Sequence, residues 1–143
     1  MSDGVATGGL CSGAKRPSPD DAHVVTQVGA TVLVAVPCEF FAYNVSFQLA
    51  IFDGNLHPVT VPTFDTATAS VVDRSLVLSL GFESTTSGEF SVLSKGRGVA
   101  GCGDAATYRL QEQRVVLLEA RSYDCQAQAI DDPQQWPVVF RAS

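Results

Sequence analysis

The sequence has few of the residues on which hydrolytic sites and metal sites depend. Its 143 residues include only two histidines, one methionine and one tryptophan. A Ser-His-Asp or Cys-His site would have to use His23 or His57, and neither lies beside a nucleophile motif such as G-x-S-x-G. No series of Asp and Asn resembles an EF-hand calcium loop. We therefore predict a protein that is not an enzyme and that uses no cofactor and no metal ion.

Long apolar runs are also missing. A membrane-spanning helix needs about 20 apolar residues, whereas the longest run here, residues 31–37, has the length of a strand. Residues 1–4 have neither the basic start nor the apolar segment of a signal peptide. We expect no transmembrane segment, and we expect that an exported form of this chain would be a mature or trimmed one.

Positive charge is scarce. Nine Lys and Arg residues stand against fifteen Asp and Glu, which gives a net charge of −6 and an isoelectric point near 4.6. A protein that binds phosphate backbones usually has the opposite sign, so no nucleic-acid partner is expected. The apolar fraction is 45%, which is enough for one domain of this length to form its own core.

The cysteines are far apart in the sequence. Cys11, Cys38, Cys102 and Cys125 are separated by 27, 64 and 23 residues, whereas structural zinc sites usually carry ligands in pairs about two to four residues apart. Two disulfides are favoured over free thiols, with zinc as the third alternative. Of the three possible pairings, Cys102–Cys125 with Cys11–Cys38 closes the shortest loops. Disulfides indicate an oxidising compartment.

The chain divides into two parts by composition. Residues 1–22, rich in Gly, Ser, Pro and Asp, predict a flexible arm before a single β domain at 23–143. Within that domain, apolar alternation and turn residues predict about eight short strands. We place them at residues 23–28, 31–37, 44–52, 74–82, 90–94, 107–111, 114–121 and 136–142, with a further short edge strand at best at 59–61.

Two of these strands leave open questions. Residues 114–121 could instead form a short helix, although the β-branched Val115 and Val116 favour a strand. In residues 74–82 the apolar side chains of Leu76, Leu78, Leu80 and Phe82 alternate with smaller residues. We expect such apolar faces to form one core. The predicted fold is all-β, an antiparallel sandwich or small barrel held by disulfides.

One glycine-rich loop carries a motif. Residues 96–101 match G-x-G-x-x-G, but a strand-like run follows them, whereas a dinucleotide site requires a helix. A loop beside a disulfide is the favoured interpretation. Lys95 and Arg97 still place two cations among backbone amides that could bind an anion. The possible ligand or partner contacts in the whole chain are Lys95, Arg97, Tyr43, Asn44, Trp136 and Arg141. The aromatic residues among them become interface candidates only if they are exposed.

Three pairs of segments resemble motifs of a known family. They are residues 34–38 with 42–46, residues 95–98 with 101–103, and residues 121–125 with 136–142. Their order is similar to that in the bacterial envelope family called "domain of unknown function 1176". The chain resembles the C-terminal part of that family's members, over about residues 31–142. The resemblance implies secretion to the periplasm and supports a Cys102–Cys125 bridge, but it implies no activity and no catalytic residues.

Three functions fit these observations. The first is a periplasmic, non-catalytic β domain that binds a protein or another envelope component. A specific form of it is an inhibitor of a basic cell-wall hydrolase such as lysozyme, because opposite charge speeds encounter. The second is an anionic-ligand binder or enzyme centred on Lys95 and Arg97, which requires a concave pocket containing both side chains. The third is a purely structural domain of a larger envelope protein.

Overall fold

The computed structural model describes residues 11, 22–41, 44–86, 88–95, 101–125 and 128–142. Within these ranges the protein is built from antiparallel strands, and its helical element is a single 3-10 turn at Pro133–Gln135. The strands are β1 (His23–Val28), β2 (Thr31–Phe40), β3 (Val45–Phe52), β4 (Leu56–Val59), β5 (Val61–Asp65), β6 (Ser70–Arg74), β7 (Val77–Ser79), β8 (Phe82–Thr86), β9 (Glu89–Lys95), β10 (Gly103–Gln111), β11 (Arg114–Tyr123) and β12 (Val138–Arg141). The predicted all-β class is confirmed.

The strands form two five-stranded sheets and a ribbon. Sheet 1 has the order β1-β2-β3-β4, and β7 pairs with the part of β3 that β4 leaves free. Sheet 2 has the order β12-β11-β10-β9-β8, and β5 and β6 form the two-stranded ribbon. No closed barrel is present in the described part of the chain, so the sandwich alternative of the prediction holds.

The main core lies between the two sheets. Phe47 of sheet 1 contacts Phe82 of sheet 2 edge to face, with ring centroids 4.9 Å apart. The fully buried Phe90 stacks on Tyr108 at 5.3 Å. Burial of each large apolar side chain contributes roughly 1.5–3 kcal/mol, so contacts between side chains of the two sheets hold the sandwich together.

Sheet 1 is also covered on its outer face. A second, smaller cluster brings Cys11 and Cys38 together with Val34, Val36 and Ala50. This explains why the centres of β2 and β3 are buried on both sides, since a strand covered on both faces carries a continuous apolar run. Cys11 is 2% exposed. Most of the predicted arm, residues 1–22, lies outside the described residues.

Both predicted disulfides are present. Cys11 is bonded to Cys38 and Cys102 to Cys125. The first bridge attaches the N-terminal segment to sheet 1, and the second joins the start of β10 to the segment after β11. The described residues include no free cysteine.

The structure confirms the strand favoured at residues 114–121, whereas two other predicted strands are divided. Residues 114–121 are a strand, so the helix alternative is wrong. The predicted edge strand at 59–61 is divided at Thr60, where the chain leaves β4 and enters β5. The predicted strand at 74–82 is divided among β6, β7 and β8, because the chain crosses from the ribbon to sheet 1 and then to sheet 2.

The leucines of that segment are partly exposed and are not part of the buried core, contrary to expectation. Val77 pairs with Phe47 in sheet 1 and both are buried. Ser79 is completely buried, and its hydroxyl donates a hydrogen bond to the carbonyl of Gly81. Because side chains alternate across a strand, Leu78 lies on the opposite side of β7 from Val77 and Ser79, and Leu76 and Leu80 flank the strand. Leu76, Leu78 and Leu80 are 36%, 47% and 44% exposed, and we call these three residues the leucine row.

Candidate functional site

Asn44 joins the two sheets. Its side-chain amide donates to the Lys95 carbonyl at 2.9 Å, and its side-chain oxygen accepts from the Lys95 amide at 3.0 Å. The two residues are 51 positions apart in the sequence. This pair of hydrogen bonds fixes the end of β9 beside the start of β3, so the Asn44 side chain is committed to the fold. Two other predicted contacts, Tyr43 and Arg97, lie outside the described residues.

Trp136 is buried, which removes it from the predicted interface candidates. It is 2% exposed, its indole N–H donates to the Ile130 carbonyl at 2.8 Å, and its ring lies 6.5 Å from that of Tyr123. Its own carbonyl accepts from Arg121 at 2.8 Å. Trp136 therefore fixes the loop before β12 against the end of β11.

Arg141 belongs to a three-residue charge cluster. One carboxylate oxygen of Glu119 accepts from Arg141 at 2.8 and 3.1 Å, and the other accepts from Arg121 at 2.9 Å. Desolvation opposes ionisation of Glu119, but the hydrogen bonds and charges of Arg141 and Arg121 outweigh it, and the pKa of Glu119 lies below its ordinary value. The cluster connects β12 to β11, so the predicted contact Arg141 has a structural partner.

The two histidines have ordinary surroundings. The Nε2 of His57 lies within hydrogen-bond distance of a carboxylate oxygen of Asp53, at 2.9 Å, and both side chains are more than half exposed. The hydrogen bond from the Asn55 amide, and then the one with His57, lower the pKa of Asp53. His23 lies edge to face against Phe47. The described residues include no group of three or more His, Cys, Asp or Glu that could hold a metal ion.

The glycine-rich motif leads into a strand. Residues 96–100 lie outside the described residues, but Gly101 has a positive φ of 116°, and a Cβ there would lie 2.7 Å from that of Ala129. Its carbonyl accepts from the Ile130 amide at 3.1 Å. β10 begins two residues later, at Gly103. Gly101 is thus needed for close packing of two loops, as the loop interpretation predicts.

A cavity of about 220 Å³ lies between sheet 2, β7 and the ribbon. Sheet 2 contributes Ser94, Asp104 and Tyr108, among other residues, and the opposite wall includes Leu76 and Leu78 of the leucine row. Burial raises the pKa of Tyr108 to about 12, against which a hydrogen bond with Thr63 acts only weakly. Lys95 is not among the lining residues. The predicted pocket containing Lys95 and Arg97 is therefore not this one.

The leucine row extends from this cavity to a second, open depression. Leu80 lines that depression together with Glu83 and Asp132, and Asp104 is an exposed residue of the first cavity. Acidic groups therefore lie near both ends of the row, and the ion-paired Arg74 and Arg121 also line the first cavity. The sequence showed the alternation of these leucines but not which face they occupy, because periodicity alone does not distinguish the two sides of a strand.

Two further exposed apolar side chains lie at the same end of sheet 1. Phe40 and Phe41 are 75% and 52% exposed at the end of β2. Ser46 of β3 pairs with Glu39 of β2 on one side and with Leu78 of β7 on the other. β7 is thus two strands away from the end of β2, a distance of about 10 Å.

These features define a disulfide-bonded, antiparallel β protein with an apolar surface row between acidic groups. The family described as "protein of unknown function (DUF1176)" matches residues 5–143. The chain belongs to this family, which confirms the predicted resemblance and extends it to include Cys11. No curated protein and no solved structure matches the chain. In the described part of the chain, no helix is long and apolar enough to cross a membrane.

Proposed function

We propose that this protein is a non-catalytic domain that binds a protein partner in the periplasm or outside the cell. The observation that supports this function is the exposure of Leu78 in β7 and of Leu76 and Leu80 on either side of that strand. Isolated exposed leucines are common, but a contiguous apolar surface bordered by polar groups is typical of an interaction site.

The charges around the row favour one kind of partner. Asp104, Glu83 and Asp132 border it, and the whole chain carries a net charge of −6. Protein interfaces combine an apolar centre with a polar rim, and opposite charge accelerates encounter. The partner we propose therefore has an apolar centre surrounded by Lys and Arg. A basic cell-wall hydrolase of the lysozyme type has the required charge.

The two disulfides agree with this location. Such bonds persist in oxidising compartments and are rare in the cytosol. The core between the sheets is already extensive, so the bridges are additional restraints on a fold that has sufficient apolar burial. An exported domain that encounters proteases benefits from such restraints, because they disfavour the unfolded chain.

A binding experiment with matched variants tests the proposal. The immobilised protein is exposed to lysozyme and, separately, to a bacterial envelope extract, and lysozyme activity is measured with the protein in excess. Leu78→Thr should weaken binding of the captured partner at least about fivefold, the effect of truncating one central contact. The control is Val138→Thr, at a residue of β12 that is 39% exposed. Equal binding by both variants would refute the leucine row as the interface.

The oligomeric state provides a second readout. If a second copy of this chain covered the leucine row, light scattering of the purified protein would give the mass of a dimer, and Leu78→Thr would restore the monomer. That result would contradict the proposal that the leucine row binds a different protein. Unchanged lysozyme activity would exclude only lysozyme inhibition, whereas loss of an envelope partner on Leu78→Thr would still support the binding function.

A further inference from the structure

The cavity of sheet 2 exists because three neighbouring strands carry small side chains on their inner face. Ala106 of β10 pairs with Val92 of β9 and with Ala120 of β11. In the next row, Asp104 pairs with Ser94 and Ser122. All six residues line the cavity. Its walls therefore change from apolar to polar over a single step of about 7 Å along β10.

The cavity is mainly apolar beyond Ala106. Tyr108 lies there, 2% exposed, and its hydroxyl is hydrogen-bonded to the Thr63 side chain. Phe64 and Val77 contribute apolar surface from the ribbon and from β7. Since the Tyr108 hydroxyl already has a partner, this end offers surface for a hydrocarbon group.

The charged residues that line the cavity differ in whether they form an ion pair. Arg74 forms an ion pair with Asp65 at 3.5 Å, and Arg121 forms one with Glu119 at 2.9 Å. Asp104 is exposed and, within the described part of the chain, has no ion pair. Within the described part of the chain, Asp104 is thus the charged lining residue without an ion pair, and it stands between two serine hydroxyls, whereas Arg121 shares the Glu119 carboxylate with Arg141.

We infer that this cavity binds a primary ammonium group carried on a short hydrocarbon chain. The hydrocarbon would lie against Ala106, Val92 and Ala120, and the ammonium would lie at the mouth, within reach of the Asp104 carboxylate and the hydroxyls of Ser94 and Ser122. An ammonium group has three donors, and these three side chains supply three acceptors. A 150 Å³ cavity holds benzene, so a volume of 220 Å³ holds about nine non-hydrogen atoms in the same proportion.

The test compares ligands that differ only in their head group. Hexylamine, hexanol and hexanoate are titrated into the ¹⁵N-labelled protein at pH 7, and the amide shifts of Ser94, Ala106 and Ser122 are followed by NMR. Hexylamine should give saturable shifts with a dissociation constant on the order of a millimolar, hexanol weaker ones, and hexanoate none that saturate. Binding of hexanoate as tight as that of hexylamine would overturn the inference, because it would assign the recognition to the arginines.

Three variants test whether Asp104 supplies the recognising charge and whether the cavity is the binding site. Asp104→Asn should weaken hexylamine binding about fivefold, the effect of one partly exposed ion pair. Glu112→Gln, in the turn between β10 and β11, changes the net charge equally and should have no effect. Ala106→Leu should abolish binding by filling the cavity. Equal effects of Asp104→Asn and Glu112→Gln, or the absence of saturable shifts with the wild-type protein, would overturn the inference.

Two sources could supply such a group, a free amine or a lysyl side chain of a peptide. Hexylamine represents the first, and lysine blocked at both its amino and carboxyl termini represents the second. Tighter binding of the blocked lysine would assign the site to a lysyl side chain, and tighter binding of hexylamine to a free amine. Either result supports the inference, and neither depends on the effect of Leu78→Thr on partner binding.

Discussion

Replacement of Glu119 by glutamine tests how the last strand is held. β12 pairs with β11 at only three register positions, and Glu119 pairs with Arg141 at one of them. The carboxylate also accepts from Arg121, whose guanidinium donates to the Trp136 carbonyl. Glu119→Gln retains the size of the side chain and removes the charge, so it separates the ion pairs from the packing around them.

The expected loss of stability follows from how exposed the side chains of the ion pairs are. An exposed ion pair contributes about 0.2–1 kcal/mol. The Arg141 side chain is 64% exposed, which places its pair at the lower end, whereas Arg121 and Glu119 are 19% and 25% exposed, which places theirs at the upper end. We predict that Glu119→Gln lowers the free energy of unfolding by about 1 kcal/mol at pH 7.

The stabilising effect of Glu119 should decrease as the pH falls. The pKa of Glu119 in the folded protein lies below its ordinary value of 4.5. Its contribution to stability is therefore complete above the unfolded pKa and is lost as the pH falls through the folded pKa. Urea unfolding of the wild-type protein and of Glu119→Gln, at pH 7 and then at decreasing pH below 4.5, should show two curves that converge. Glu112→Gln serves as the control.

Two results would contradict this account. If Glu119→Gln were as stable as the wild-type protein at pH 7, the charge cluster would contribute nothing to the attachment of β12. If a difference of the same size persisted at a pH where Glu119 is protonated in both states, its cause would be packing and not charge.

Three other predictions concern the core and its connections. Burial raises the pKa of Tyr108 to about 12. The neutral form of Tyr108 therefore stabilises the fold fully below pH 10, and this contribution decreases as the pH rises towards 12. Absorbance titration should show one late-ionising tyrosine that Tyr108→Phe removes. Asn44→Ala removes two hydrogen bonds and should cost about 1–3 kcal/mol, with faster hydrogen exchange at the Lys95 amide; unchanged exchange would contradict it. Replacing both Cys102 and Cys125 by serine should cost about 3 kcal/mol in urea unfolding, from the entropy of a 23-residue loop; an unaltered midpoint would argue against the bridge.

Local signals predicted the strands that form the hairpins. Gly29, with φ of 59°, turns β1 into β2 at the break between two predicted strands. β10 and β11 also follow from predicted strands, although the turn between them uses Glu112 and Gln113 at positive φ, residues that give no turn signal of their own. The apolar alternation on either side was sufficient there, because a strand pair in one register buries one face of each strand.

The contacts between distant segments could not be predicted from the sequence. Asn44 and Lys95 were both proposed as contact residues, but only the fold shows that they bind each other across 51 positions. The leucine row illustrates a second limit. Its alternation was recognised, yet the buried face was set by the pairing of Val77 with Phe47. Spacing specifies the two faces of a strand, and tertiary pairing determines which of them enters the core.

The central claim, that the leucine row binds a foreign protein, can be tested most directly by photo-crosslinking. A photoactivatable amino acid is placed at position 78 in one sample and at position 138 in another, and each purified protein is irradiated in a bacterial envelope extract. We predict a specific crosslinked partner at position 78 that is absent at position 138. No crosslink at position 78, the same products at both positions, or a crosslink only to a second copy of this chain would contradict the claim.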